Sequence, residues 1–198
     1  MEFSITSAAP GAARTGCLVL GVYKDGKDGS GVLTRVAQLA DRAAGGALQR
    51  VLSQGDLSGK LGSTLLLHGV QGLAAERVLL VGLGEQEKFA EQAYRDAVRA
   101  AANALKDIGA RHAVLCIAEL KVGRRGLPWS VRHAVLGMRD AFYRFDQLKT
   151  QKKPPVPALA EVALALGSQP VTAQTRSALR EAVATADGVE LARTLGNL

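Results

Sequence analysis

The sequence predicts an α/β protein, a three-layer α/β/α arrangement around a mixed, mostly parallel six-stranded sheet. Short apolar runs alternate along the chain with longer segments whose apolar residues recur at three- and four-residue steps. Most of the short runs show no polar alternation, which is typical of strands buried on both faces of a parallel sheet. Strands that alternate with helices in this way favour crossover connections and therefore parallel pairing.

Six segments are expected to form the strands, because each is short, rich in Leu, Val and Ala, and bounded by glycine, proline or polar residues. They lie at residues 2–6, 17–23, 63–68, 77–81, 113–118 and 160–166. The connecting loops are rich in glycine at 24–31 and 55–62 and rich in proline at 152–157. These compositions favour turns and extended backbone over helix.

Four segments with helical spacing follow these strands in turn, at residues 32–52, 88–108, 130–149 and 172–195. The first contains Gly45-Gly46, and two adjacent glycines predict a break there because glycine is a poor helix former. The last segment is expected to form one amphipathic helix. Its apolar stripe consists of Leu179, Ala182, Ala186, Val189 and Ala192.

The composition suits one domain with a core of small aliphatic side chains. The chain has 198 residues, of which 47% are hydrophobic but only 4% aromatic. No run approaches the roughly 20 apolar residues of a membrane span, and the first residues lack the basic and apolar regions of a secretion signal. We therefore expect a cytoplasmic protein with no membrane partner. Cys17 and Cys116 lie in apolar runs, which favours two reduced core thiols over a disulfide.

The motifs that suggest catalysis or ligand binding are incomplete. The turn GLGEQEK at 82–88 lacks the third glycine of a dinucleotide fingerprint and has Glu87 in its place. The loop GDLSGK at 55–60 has one residue too few for a phosphate loop, and Leu61 replaces the Ser or Thr that would bind magnesium. The three histidines have no partner at metal-ligand spacing. We therefore expect neither a catalytic nor a metal-binding residue in this chain, and no clear ADP-ribose site.

Several segments resemble one family of enzymes. The last residues, ATADGVELARTLGNL at 184–198, resemble the segment that leads into the catalytic domain of the leucyl (cytosol) aminopeptidases. The strand and glycine turn ERVLLVGLGE at 76–85, the preceding GDLSGKLGSTLLLHG at 55–69, and GMRDAFYRFDQLKTQKK at 137–153 are similar to segments of that family in the same order. The resemblance thus runs along nearly the whole chain.

The resemblance implies a macro-like amino-terminal domain at 1–169 and a connecting helix at 170–198, directed toward a metallopeptidase domain that this chain does not contain. It further implies an enzyme that releases amino-terminal residues from peptides, uses two divalent metals (zinc or manganese) and assembles as a homo-hexamer. The metal ligands and catalytic residues of the family lie beyond Leu198. The chain itself is then expected to be inactive alone and to serve assembly and regulation, with its own carboxy-terminal catalytic domain as a partner.

The distribution of charge suggests an alternative function. The chain carries a net charge of +7, and the segment from 119 to 153 has nine basic side chains against three acidic ones. A cluster of this kind favours contact with the backbone of duplex DNA, although most charge runs are solvated surface. The candidate nucleic-acid-binding residues are Lys121, Arg124, Arg125, Arg132, Arg139, Lys149, Lys152 and Lys153.

Overall fold

The computed structural model describes residues 1–24, 30–145 and 158–198. Within these residues the strands are β1 (Glu2–Thr6), β2 (Cys17–Lys24), β3 (Gly31–Leu33), β4 (Thr64–His68), β5 (Arg77–Glu85), β6 (His112–Leu115) and β7 (Glu161–Ala165). The α-helices are α1 (Arg35–Ala43), α2 (Ala47–Ser53), α3 (Glu91–Lys106), α4 (Leu127–Phe142) and α5 (Ala173–Gly196). None of these helices is both long and apolar enough to cross a membrane.

The sheet is mixed and mostly parallel, as the sequence predicts. Its main order is β1-β7-β6-β2-β5-β4, and every neighbouring pair in this order is parallel except β4 and β5. The described residues hold seven strands rather than six, because the short β3 pairs antiparallel with the end of β2. The six-strand expectation misses β3, since three residues are too few to show a strand pattern.

Helices cover the two faces of the sheet unequally. Successive side chains of β2 alternate between two buried clusters, with Val19 in one and Leu20 in the other, as the period of a strand requires. The helices α3 and α4 contribute to the cluster that contains Val19, together with Ala182 of α5. The helices α1 and α2 contribute to the other. The three-layer arrangement is therefore confirmed.

The first helical segment begins later than the sequence suggests. Residues 32 and 33 belong to β3, and α1 begins after Thr34, whose hydroxyl accepts a hydrogen bond from the Ala37 amide. The break at the glycine pair is confirmed, because Gly45 and Gly46 have φ angles of +59° and +79°. These angles end α1 and allow α2 to begin in a new direction.

Several other boundaries also differ from the expectation. The strand β5 ends at Glu85 rather than at 81, and α3 begins at Glu91 rather than at 88. The strand expected at 113–118 ends at Leu115 and continues as the short 3₁₀ helix Cys116–Glu119. The helix expected at 130–149 begins at Leu127, with Pro128 in its first turn, and ends at Phe142. Residues 146–149 of that segment lie outside the described part of the chain. The helix α5 follows Thr172, which caps it through the Thr175 amide.

Candidate functional site

The helix α5 packs along α4 through a narrow line of alanines. Ala178, Ala182 and Ala186 are buried at four-residue steps, and Ala182 lies in the same cluster as Val135 and Met138 of α4. Small side chains let the two helices approach closely. The predicted stripe is therefore partly right, since Ala182 and Ala186 are buried, whereas Val189 is 45% exposed and Ala192 is exposed.

Ion pairs continue this helix contact where the alanines end. Arg139 of α4 donates from Nε and Nη2 to the two carboxylate oxygens of Glu190, at 2.6 and 2.7 Å, and from Nη2 to Asp187 at 2.7 Å. Its side chain is only 12% exposed. The hydrogen bonds to Glu190 and Asp187 raise the pKa of Arg139 above its usual range. Arg139 is thus the central polar contact between the two helices.

Further polar contacts flank Arg139 on both sides. Arg132 pairs with Glu181 of α5 toward the beginning of both helices. Arg193 pairs with Asp140 at 2.6 Å, and its guanidinium lies 5.3 Å from the ring centre of Tyr143. The Tyr143 hydroxyl lies 3.3 Å from the Thr194 hydroxyl. The far half of α5 is therefore attached to the domain mainly by polar groups.

The opposite face of α5 carries large apolar side chains that contact no core cluster. Leu191, Leu195 and Leu198 recur at steps of four and three residues and are 61%, 62% and 69% exposed. At 100° per residue, Leu191 and Leu195 lie about 140° and 180° around the helix from Ala186, and Leu198 follows the end of α5 at Gly196. We call these three residues the leucine stripe. An exposed, aligned set of leucines is typical of a surface that packs against another protein element.

The structure places the predicted nucleic-acid-binding residues in different environments. Arg132 and Arg139 do share one face of α4, as their spacing predicts, but both are paired with carboxylates of α5. Arg125 pairs with Glu91 at 2.8 Å. Lys121 and Arg124 are exposed and form no ion pair with any described residue. Lys149, Lys152 and Lys153 lie outside the described residues.

The sequence did not predict a cluster of aromatic and cationic side chains that lies between α3 and α4. Trp129 is only partly buried and stacks on His133 at 3.8 Å between ring centres. The Nδ1 of His133 lies 2.9 Å from the Trp129 carbonyl, and Nε2 lies 3.4 Å from Nη2 of Arg95. Because a carbonyl only accepts and a guanidinium only donates, Nδ1 carries the proton and Nε2 accepts. Burial, with the charge of Arg95 and neighbouring arginines, lowers the pKa of His133.

The described residues do not provide a donor set for a metal. No three of their His, Cys, Asp and Glu side chains come together with the geometry of a metal site. His68 lies at the end of β4 and His112 at the start of β6, and His112 faces Glu161 at 3.7 Å. Cys17 and Cys116 are buried free thiols, as predicted. The zinc or manganese implied by the family therefore finds no fitting ligands in this part of the chain.

Comparison with known proteins identifies relatives along the whole chain. Residues 19–152 match the family described as the cytosol aminopeptidase family, N-terminal domain. A probable cytosol aminopeptidase of Nitrosospira multiformis is 41% identical over 201 residues, which cover 100% of this chain and 38% of the relative. One of Dechloromonas aromatica is 38% identical, with 100% and 39% covered. The chain thus spans less than half the length of these curated relatives.

Solved structures share the fold at lower identity. A mutant of tomato leucine aminopeptidase matches 100% of this chain over 38% of its own, with a TM-score of 0.72 and 23% identity. A Trypanosoma brucei macrodomain matches 92% of this chain over 67% of its own, with a TM-score of 0.62 and 18% identity. The macro-like α/β fold expected from the sequence is therefore confirmed.

Proposed function

Because the chain belongs to the cytosol aminopeptidase family and corresponds to its N-terminal domain, we propose that it is a non-catalytic domain that serves assembly and regulation of an aminopeptidase. One observation carries this proposal, the exposed leucine stripe at the carboxyl end of α5 and just after it. The alanine line and the Arg139 contacts hold the inner face of the same helix to the domain. In this position the helix can join the domain to a second domain.

The stripe favours a protein partner over solvent for energetic reasons. Fully burying one leucine contributes about 2 kcal/mol, so three leucines are a large contribution relative to the marginal stability of a domain. We propose that the first partner is the catalytic domain of the same enzyme, with 170–198 as the connecting helix and 1–169 as the domain before it. The relatives are more than twice as long as the region that this chain matches, which is long enough for such a domain.

The remaining properties are proposed for the enzyme as a whole. It would release amino-terminal residues from peptides with the help of two divalent metals, zinc or manganese, bound outside this chain. It would assemble as a homo-hexamer in the cytoplasm. The support is family membership, the name cytosol aminopeptidase carried by the curated relatives, and, for manganese, a structural neighbour described as the bottromycin maturation enzyme BotP in complex with Mn.

A chimera tests the docking proposal. The chain would replace the matching amino-terminal region of the Nitrosospira multiformis relative, and assembly would be measured by size-exclusion chromatography with light scattering. We expect the chimera to form hexamers and the double variant Leu191→Glu/Leu195→Glu to lose them. Leu39→Glu, on the exposed side of α1, is the matched control because Leu39 is also a half-exposed helical leucine. If the double variant assembles like the Leu39→Glu control, the stripe does not dock the catalytic domain.

A second candidate function, binding of duplex DNA, rests on exposed Lys121 and Arg124. The cluster has fewer free charges than the sequence suggests, because Arg125, Arg132 and Arg139 are paired with carboxylates. The clean test is therefore Lys121→Glu/Arg124→Glu, which breaks no ion pair among the described residues. If DNA binds here, wild-type affinity falls with salt at a slope of about −0.9 per phosphate contact, and this variant loses binding in a gel-shift assay. Equal retention of variant and wild type would exclude these two residues.

A further inference from the structure

The strand β4 forms one edge of the sheet, and among the described residues no strand pairs with its outer side. The Gly69 amide donates to the Glu76 carbonyl at 3.1 Å, so this is a hydrogen-bonded pair in the antiparallel register of β4 and β5. Hydrogen-bonded and non-hydrogen-bonded pairs alternate along such a register. The residues whose amide and carbonyl groups point away from β5 are therefore Thr64, Leu66 and His68.

This edge lacks the features that usually block strand pairing. Residues 64–68, TLLLH, contain no proline, lysine or acidic side chain, and their register with β5 is continuous. The structure describes both β4 and α3 completely. An open edge of this kind offers its backbone to an extended peptide, which adds to the sheet as a further strand.

A groove of about 490 Å³ lies between this edge and α3. Thr64 lines it from β4, and Leu66 of the same strand packs on the core cluster that α3 covers. Ala100 and Ala104 line the groove from α3, and their small side chains leave room for a second chain. The groove therefore continues the open edge on the face of the sheet that α3 occupies.

Two carboxylates line the groove against one guanidinium. Arg99 pairs with Asp96 at 3.4 Å, whereas Asp107 has no ion pair with any described residue. The helix α3 returns from β5 to the parallel strand β6, so it runs antiparallel to β5 and parallel to β4. Asp96 therefore lies toward Thr64, and Asp107 lies toward His68. Eleven helical steps separate the two acids by about 16 Å, and four steps of an extended strand cover about 14 Å.

We propose that β4 and this groove bind an extended peptide segment of a partner protein, with two basic residues four positions apart and a small residue midway between them. Residues paired across neighbouring strands point to the same face, so in an antiparallel peptide these three positions face α3 beside His68, Leu66 and Thr64. The basic side chains then approach Asp107 and Asp96, and the small one faces the alanines. A second copy of β4 fits less well, because TLLLH has neither basic residue. The surface is separate from the leucine stripe and does not depend on the function proposed above.

Binding is tested by titrating the isotope-labelled chain with the capped peptide TKVAVKT. We expect the largest shifts at the amides of Thr64, Leu66 and His68, with a Kd on the order of 100 μM. The peptide TEVAVET, with both charges reversed, should bind at least about fivefold more weakly. No shift at these amides, or equal binding of the two peptides, would overturn the proposal. If the same amides shift when the chain is concentrated without peptide, a second copy covers the edge and the proposal is wrong.

Methylation of peptide nitrogens tests the backbone register. A methyl group on the central alanine removes the N–H that would donate to the Leu66 carbonyl, whereas one on the next valine replaces an N–H that points away from β4. We expect the first peptide to bind more than about tenfold more weakly than TKVAVKT and the second to stay within about threefold. Equal binding of the two methylated peptides would contradict strand addition.

One pair of variants tests the carboxylates. Asp107→Asn should weaken binding of TKVAVKT by about twofold to fivefold, because it removes one exposed ion pair with the peptide. Asp56→Asn is the matched control, since Asp56 is exposed, lies outside the groove and has no ion pair with any described residue. If both variants change the Kd equally, the peptide responds to net charge and the groove is not its site.

Discussion

At the scale of single residues, burial determines the chemistry of the two cysteines. Desolvation raises the pKa of the Cys17 and Cys116 thiols to about 12 each. Only the thiolate is a good nucleophile, so both side chains should be inert in the folded chain. We expect no reaction with a disulfide reagent at pH 8 until the chain is unfolded, when two thiols react. Stoichiometric reaction in the native state, measured by thiol release, would contradict the buried placement.

His133 should make stability depend on pH. Its pKa is lowered in the folded chain, so below the ordinary value of about 6.5 the unfolded chain binds more protons than the folded one. The folded state therefore loses stability as the pH falls through this range, and is unaffected above it. We expect the melting temperature of wild type to decrease more between pH 7 and pH 5 than that of His133→Gln. Equal decreases would mean that burial and the charge of Arg95 do not lower the pKa of His133.

At the scale of elements, the register of α4 on α5 depends on Arg139. Replacing Arg139, which is 12% exposed, with methionine removes its hydrogen bonds to the carboxylates of Glu190 and Asp187, which should destabilise the chain by about 1–3 kcal/mol. Arg193→Met removes a pair whose side chains are 43% and 53% exposed, so its cost should stay below about 1 kcal/mol. Urea unfolding of both variants measures the difference. Equal losses would show that burial of the Arg139 pair contributes nothing.

The elements also show what a single sequence can predict. Apolar runs located the six main strands, and the glycine pair located the break between α1 and α2, because both features depend on local composition. The strand β3 and the 3₁₀ turn after Leu115 were missed, because their conformation depends on neighbouring strands. The same limit applies to the site. Arg132 and Arg139 are seven residues apart and therefore share one face of α4, but only the packed structure shows that acids of α5 pair with them.

At the scale of the whole molecule, the inner face of α5 packs on this domain, and its exposed leucines have a different role. The inner face, with its alanine line and Arg139 contacts, belongs to this domain, whereas the leucine stripe is exposed. The described residues bring together no metal donors, and the thiols are buried and protonated. The leucine stripe is the surface of this domain that we propose packs against another protein element. We propose that the chemistry of the enzyme lies in a part of the protein outside this chain.

The central claim is that this chain contributes structure and not catalysis. The most direct test is hydrolysis of leucine 4-nitroanilide by the purified chain with added manganese or zinc, beside the chimera that carries the catalytic region of the Nitrosospira multiformis relative. A two-metal peptidase site needs several ligands around paired ions about 3.5–4 Å apart. We expect turnover by the chimera and none by the chain alone. Metal-dependent turnover by the chain alone, abolished by a chelator, would contradict the account.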